Sequence, residues 1–426
     1  MKILFLNAYF PPYRTIASLR TGKTAKLLHE RGHDIKVVTL KQETLKSDLP
    51  LEIPKENLYQ VTWLNLDNYL LKLLKMENKN KIIDATYNSK GKKISIKNKF
   101  MQFIFKIYKI FFRDFFASFS QYKNLFSESK NIIKEWKPDI IYASGLPKEI
   151  LIVASNLNKK YNIPFVAEFR DLWADNHYNN KSYISEYLEK RTLKNAHSII
   201  SVSKPLVDKL QQKYPDIPCF EVRNAYDEED FVFNQKNKNS KITILYTGMI
   251  YQGKQDPSLL FEVISQNEYL KENVICKFYG NGLFIVKDLA KKYNIEHCVE
   301  VYDSIDRIEI LKLQSQSDIL LLLTWDNPLE KGVFTGKLFE YIGSAKPILG
   351  IGAVDDVASH AINENGFGLS TNNRNDIYTF IKNIKDEEFL EKINNNYLKN
   401  RKFFERNYQV DTLEEIFKKE IIKLIL

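Results

Sequence analysis

The chain has 426 residues, a formal net charge of +10, 44% hydrophobic residues, three cysteines and six histidines. That length exceeds a usual single core and predicts two α/β domains. Cys219, Cys276 and Cys298 are too few and too scattered for a disulfide framework or a CxxC metal site, and the histidines, such as His33 and His197, form no HExxH-type cluster. The positive charge suits anionic lipid, nucleic acid or phosphorylated substrates, and no nucleic-acid module accompanies it.

The opening MKILFLNAYFPPY carries one Lys and a short apolar run that Pro11 and Pro12 break, with no small-residue cleavage site after it. It predicts a first strand rather than an export signal, and hence a cytoplasmic protein. Strand-like runs follow at Ile35–Leu40, Asp139–Ser144, Pro164–Phe169 and Ser198–Val202, separated by helix-length segments. This alternation is the doubly wound signature. It restarts after the polar stretch Asn234–Ser240, where KITILYTG echoes the opening KILFLN, and continues at Val274–Tyr279, Val299–Tyr302, Ile319–Trp325 and Pro347–Gly352. The expected division is a first domain over residues 1–232, a second over 233–405 and a C-terminal helix over 406–426, with the linker near residues 230–240.

Within the first domain, Lys99, Gln102, Lys106, Lys109 and Arg113 recur at intervals of three and four over Lys99–Tyr122, while Phe and Ile fill most other positions. Wound as a helix, residues 99–122 give a narrow basic stripe and a wide aromatic face, including Phe103, Phe111, Phe112, Phe115 and Phe116. Such a helix suits an anionic lipid interface and predicts a peripheral protein on the inner face of the plasma membrane. The competing expectation is that the aromatic face packs on the first sheet. The preceding stretch Asn78–Asn98, rich in Lys and Asn, reads as a loop.

The most informative stretch is Thr335–Gly350, TGKLFEYIGSAKPILG. It places a helix between two buried parallel strands, and ligands of parallel sheets gather where such helices begin. There Gly336 permits close approach of a phosphate to the backbone and Lys337 supplies a point charge. Glu340, on the same helix face, offers acceptors for two ribose hydroxyls. The plainer alternative is that Lys337 and Glu340 form an ordinary surface ion pair.

This segment resembles the donor-binding signature of retaining glycosyltransferases of the GT-B fold, family 4, in particular their bacterial surface-polysaccharide branch with its KLFEY helix. The opening KILFLNAYFPPYRTIASLRTGKTAKLLHERGHDIKVVTL and the segment FVAEFRDLW at Phe165–Trp173 are similar to the same family. The resemblance implies two Rossmann-like α/β domains facing a cleft, an N-terminal acceptor side and a C-terminal nucleotide-sugar side, and a final helix crossing back toward the first domain. It implies Lys254, Lys337 and Arg170 as catalytic residues, and a donor site of Gly248, Lys254, Gly280, Thr335, Gly336, Lys337, Leu338 and Glu340. Arg14, Arg20, Gly145 and Asp171 fall on the acceptor side. Two positions depart from the family pattern: Gly332 stands where a sugar-contacting Glu is common, with Glu330 two residues earlier, and Met249 stands where a basic residue is common.

The implied reaction moves a hexosyl group from a nucleotide diphosphate sugar, with a UDP-sugar favoured, to a lipid-linked or polysaccharide hydroxyl. Configuration is retained, and neither metal nor cofactor is required. Capsule or O-antigen assembly follows from the branch it resembles. A dinucleotide oxidoreductase is disfavoured because AYFPPYRTIASLR contains no GxGxxG. A sugar-nucleotide epimerase of the same fold, or a catalytically silent nucleotide-sugar-binding or scaffold protein, would share Glu340 and the phosphate site. Asp355 and Asp356 are adjacent and so diverge, which favours solvation over a metal pair.

Overall fold

The computed structural model describes residues 1–64, 114–176, 182–231 and 241–425. The chain divides into two compact units, Met1–Ile199 with Lys419–Leu426, and Ile200–Lys418. Residues 99–113 of the basic aromatic segment, and the expected loop before it, lie outside the described residues.

The first sheet contains β1 (Lys2–Asn7), β2 (Asp34–Leu40), β3 (Leu58–Val61), β4 (Ile140–Gly145), β5 (Phe165–Phe169), β6 (Ser198–Ser201) and β7 (Cys219–Glu221). Their order is β3-β2-β1-β4-β5-β6-β7. β1 runs parallel to both β2 and β4. Winding therefore reverses between β1 and β4, the position at which doubly wound sheets open a crevice beyond their carboxyl ends. Ile3, Leu4, Phe5, Ile140 and Ile141 are fully buried because helices cover both faces, which is why the strands read as continuous apolar runs.

The second sheet repeats the plan with β8 (Ile242–Thr247), β9 (Val274–Tyr279), β10 (Val299–Tyr302), β11 (Ile319–Leu323), β12 (Ile348–Ile351) and β13 (Gly368–Ser370). Its order is β10-β9-β8-β11-β12-β13, all parallel. The reversal falls between β8 and β11, so the strand that echoes β1 in sequence also occupies the equivalent central place. One core joins the β8, β11 and β12 side chains to Phe261, Phe278, Phe367 and Phe404.

The helix Gly336–Gly343 connects β11 to β12, with Leu338, Phe339, Tyr341 and Ile342 buried. Burial of each such side chain contributes about 1.5–3 kcal/mol. An eight-residue helix is therefore fixed by packing rather than propensity. No helix among the described residues is long and apolar enough to cross a membrane.

Candidate functional site

Beyond the carboxyl ends of β8, β9 and β11, three loops converge on the start of the helix Gly336–Gly343. Gly248 follows β8 with φ +104°, a conformation that glycine alone adopts readily. A Cβ there would sit 2.7 Å from Lys337 Cε. Gly280 follows β9, and a Cβ on it would meet the Gly248 carbonyl oxygen at 2.4 Å. The two glycines thus let their backbones touch and leave the space above them to the Lys337 side chain.

Lys337 Nζ donates to Tyr246 Oη at 2.6 Å and to the Met249 carbonyl at 3.4 Å, and lies 4.3 Å from the centre of the Tyr246 ring. Tyr246 passes the bond on, its hydroxyl donating to Met249 O at 2.8 Å. Every partner of the ammonium is neutral, so burial pushes its pKa down from 10.5 to about 8, against a smaller upward pull from Glu340. The i,i+3 ion pair of the plainer alternative does not form. Glu340 faces Arg307 instead, with Oε1 3.6 Å from Arg307 Nε, and Arg307 Nη2 donates to Asp230 Oδ2 at 2.9 Å. The Glu340 side chain keeps 31% exposure. Burial raises its pKa, and Arg307 opposes that rise.

The helix start leaves its first amides without intrahelical partners, and Thr335, at the cap, makes no side-chain capping bond. Gly336 is partly exposed beside it, whereas Leu338 turns its side chain into the core and sends its N–H to Thr335 O. Lys254, exposed on the loop after Gly248, places Nζ 4.3 Å over the Trp325 ring just beyond β11. The structure therefore gathers Gly248, Gly280, Thr335, Gly336 and Lys337 at one sheet edge, with Glu340 one helical turn further on. It also brings in Tyr246, Arg307, Asp230 and Trp325, which sequence reasoning missed. Only Trp325, at the end of an apolar run, carried a local signal; the others depend on which strands and helices become neighbours.

Gly332 is buried, a Cβ there would lie 3.3 Å from Pro205 Cβ, and its carbonyl accepts from Ser203 Oγ at 2.6 Å. The position that would hold a sugar-contacting Glu is thus closely packed. Asp355 binds Lys331 and His360 at the surface, while Asp356 caps the helix Val357–Glu364, so the adjacent carboxylates do diverge.

In the first unit, Arg20 was expected to face an acceptor and instead lies buried at 5% exposure against Glu168 at 0%. Arg20 Nη2 and Nε approach Glu168 Oε1 at 2.7 and 3.1 Å, and Ser144 Oγ donates to Glu168 Oε2 at 2.5 Å. Glu168 lies fully buried inside the apolar run FVAEF, where an ionised carboxyl needs a counter-ion, and Arg20 is the cation beside it. Burial acts to raise its pKa, but Arg20, together with hydrogen bonds from Ser144 and Tyr142, holds the carboxyl below its ordinary value. Arg170, half-buried after β5, donates to the carbonyls of Gly145 and Leu146 at 3.3 and 3.4 Å. Gly145 is buried at the end of β4, Asp171 is exposed, and Arg14 pairs with Asp48 at 2.7 Å.

Two doubly wound parallel sheets with this helix placement define the GT-B fold. The chain aligns with sucrose-phosphate synthase from Thermosynechococcus elongatus at 10% identity and TM-score 0.61, over 98% of each chain. A glycosyltransferase from Rickettsia africae ESF-5 aligns at 18% identity and TM-score 0.63, over 99% of this chain and 98% of that one. WaaG, a glycosyltransferase involved in lipopolysaccharide biosynthesis, aligns at 13% identity and TM-score 0.53, over 98% and 99%. The model of Glycosyltransferase Family 4 matches residues 99–229. No curated protein matches the chain in sequence.

Proposed function

We propose that the protein is a retaining glycosyltransferase that moves a hexosyl group from a nucleotide diphosphate sugar, a UDP-sugar in preference, to a hydroxyl of a lipid-linked or polysaccharide acceptor. The observation that carries this reading is Lys337: a half-buried ammonium at a parallel-sheet switch point, beside a helix start, whose near partners are all neutral. A diphosphate supplies the missing counter-charge, and Glu340 supplies acceptors for a ribose. The family match over residues 99–229 and the similarity in fold to sugar-transferring enzymes support the same reading.

In the reaction, the bond from the anomeric carbon to the β-phosphate oxygen breaks and its electron pair leaves with the nucleoside diphosphate. The acceptor oxygen bonds to that carbon on the same face, and its proton passes to the departing phosphate. Lys337 and Lys254, with the amides at Gly336, stabilise the negative charge that grows on the diphosphate, and no metal is needed for that charge. Arg170 is proposed as a catalytic residue and the neighbouring Gly145 and Asp171 for the acceptor side, with Arg14 at the loop after β1. The basic aromatic segment 99–122 is proposed to hold the protein on an anionic membrane surface. A role in capsule or O-antigen-type polysaccharide assembly agrees with the lipopolysaccharide function stated for WaaG.

The test is a panel of UDP, GDP, CDP, ADP and NAD, read by thermal unfolding. A ligand present at about a hundred times its Kd stabilises the native state by roughly 2.7 kcal/mol. UDP is expected to give the largest shift, and incubation of a UDP-sugar with a lipid extract is expected to yield UDP and a retained glycoside. Lys337→Met should lower turnover roughly 10²–10³-fold, the scale of losing one preorganised charge donor. A shift with NAD alone, or binding of UDP without any transfer or release, would sink the transferase reading.

A further inference from the structure

Arg307 Nε is buried and has no hydrogen-bond partner, although it points toward Glu340 Oε1 at 3.6 Å. The same guanidinium is tied at its other end to Asp230. Arg307 opens the helix Arg307–Gln316, and that helix also carries buried Gln314 beside Glu340. Asp230 ends a short turn, Glu228–Asp230. The charged groups around Glu340 are Arg307 and Asp230 from these two segments and Lys337 from its own helix. Asp227, the next acid, is already bound by Arg406 through two contacts at 3.0 and 3.1 Å.

A carboxylate that accepts two ribose hydroxyls must be ionised, because protonation turns one of its oxygens into a donor. Burial works against that state at Glu340, and Arg307 is the cation placed to restore it. The second ion pair matters as well: Asp230 anchors one edge of the planar guanidinium, so that the Nε edge is turned to Glu340. We infer that Arg307 is a positioning residue for nucleotide recognition: anchored by Asp230, it holds Glu340 ionised and oriented to grip the ribose hydroxyls of a nucleoside diphosphate. This rests on the reading of Glu340 under Proposed function and adds to it a residue that does not itself touch the ligand.

The experiment is calorimetric titration of the full chain, wild type, Arg307→Gln, Arg307→Lys and Asp230→Asn, with UDP and with 2′-deoxy-UDP between pH 5.5 and 8.5. Wild type should prefer UDP by roughly tenfold or more at pH 7.5, the size of a hydrogen bond to a charged group. That preference should fade as pH falls through the Glu340 titration. In Arg307→Gln the preference should shrink and the midpoint of its loss should move to higher pH, while affinity for 2′-deoxy-UDP, set by the diphosphate contacts, changes little. Arg307→Lys should keep part of the preference. Asp230→Asn removes an anion that itself raises the Glu340 pKa, so its midpoint should not rise, while the loosened Arg307 should cost part of the preference on the high-pH side. A wild type that binds UDP and 2′-deoxy-UDP equally overturns the ribose reading itself. A wild-type preference that survives Arg307→Gln with the same pH midpoint overturns the role of Arg307 alone. If Arg307→Gln does not fold, Asp230→Asn decides, and an unchanged preference on the high-pH side there overturns the proposal.

Discussion

The two sheets share one winding order around one switch point, yet their carboxyl ends are finished in opposite ways. In the first sheet, Thr39, Asn7, Ser144 and Glu168 stand in register across β2, β1, β4 and β5, and the charge in that row is closed internally by Arg20. In the second sheet, the cation at the corresponding end, Lys337, meets only neutral groups, and the acid on its helix turns to a different partner. The same winding order therefore carries a buried ion pair in one place and, in the other, an ammonium whose hydrogen-bond partners are neutral. The difference lies in whether a carboxylate sits inside the strand, as Glu168 does, or one turn along the following helix, as Glu340 does.

The most forceful way to break this comparison is to remove the two acids in parallel. Glu168→Ala leaves the Arg20 guanidinium buried without its counter-ion, and loss of one partner of a buried pair costs about 3–5 kcal/mol. Glu340→Ala acts on a partly exposed, longer pair and should change stability by no more than about 1 kcal/mol, while weakening UDP binding roughly tenfold or more. Urea unfolding and calorimetric titration of both variants check this. A Glu340 variant that unfolds while the Glu168 variant stays folded would reverse the assignment of structural and binding roles. The sign with pH is also fixed: the folded pKa of Glu168 lies below its ordinary value of 4.5, so its stabilisation is present above that value. It is lost as pH falls through the depressed folded value.

Lys337 sharpens the comparison with a smaller effect. Its folded pKa of about 8 lies below the unfolded 10.5, so burial costs stability fully below pH 8 and the cost fades as pH rises toward 10.5. A bound diphosphate needs the charged form, so affinity should move the other way, falling above pH 8 by at most about tenfold per pH unit. Native-state stability and UDP affinity measured from pH 7 to 9.5 should thus change in opposite directions. Lys337→Met should flatten the affinity profile; a profile that stays steep in that variant would place the titrating cation elsewhere.

Much of the fold was legible because parallel strands buried on both faces must be apolar throughout. Lys2–Asn7, Asp34–Leu40, Ile319–Leu323 and Ile348–Ile351 announce themselves this way, and the echo between KILFLN and KITILYTG marks the second sheet. β3, β7 and β13 were not read: three or four residues at a sheet edge carry too little periodicity. Of the candidate site, Gly336, Lys337 and Glu340 showed themselves because they open a helix that follows a buried strand, whereas Gly248 and Gly280 were singled out only through the family resemblance. Arg20 misled because an arginine in a helix gives no sign of a buried acid 148 residues away. Arg307 and Asp230 were invisible for the same reason, being joined only through the fold.

The smallest expected effect concerns Lys254, whose Nζ lies 4.3 Å over the Trp325 ring. An exposed cation–π contact contributes about 0.5–1 kcal/mol, little enough for a diphosphate to displace it. If Lys254 moves to the phosphates, UDP should alter the emission of Trp325, and Trp325→Phe, which leaves Trp63, Trp136 and Trp173 in place, should abolish that change. Lys254→Ala should then weaken UDP a few-fold and leave stability within about 1 kcal/mol of wild type. UDP binding that leaves the emission of Trp325 untouched would mean that Lys254 stays on the ring, and the charge opposing the diphosphate would be carried by Lys337 and the helix amides.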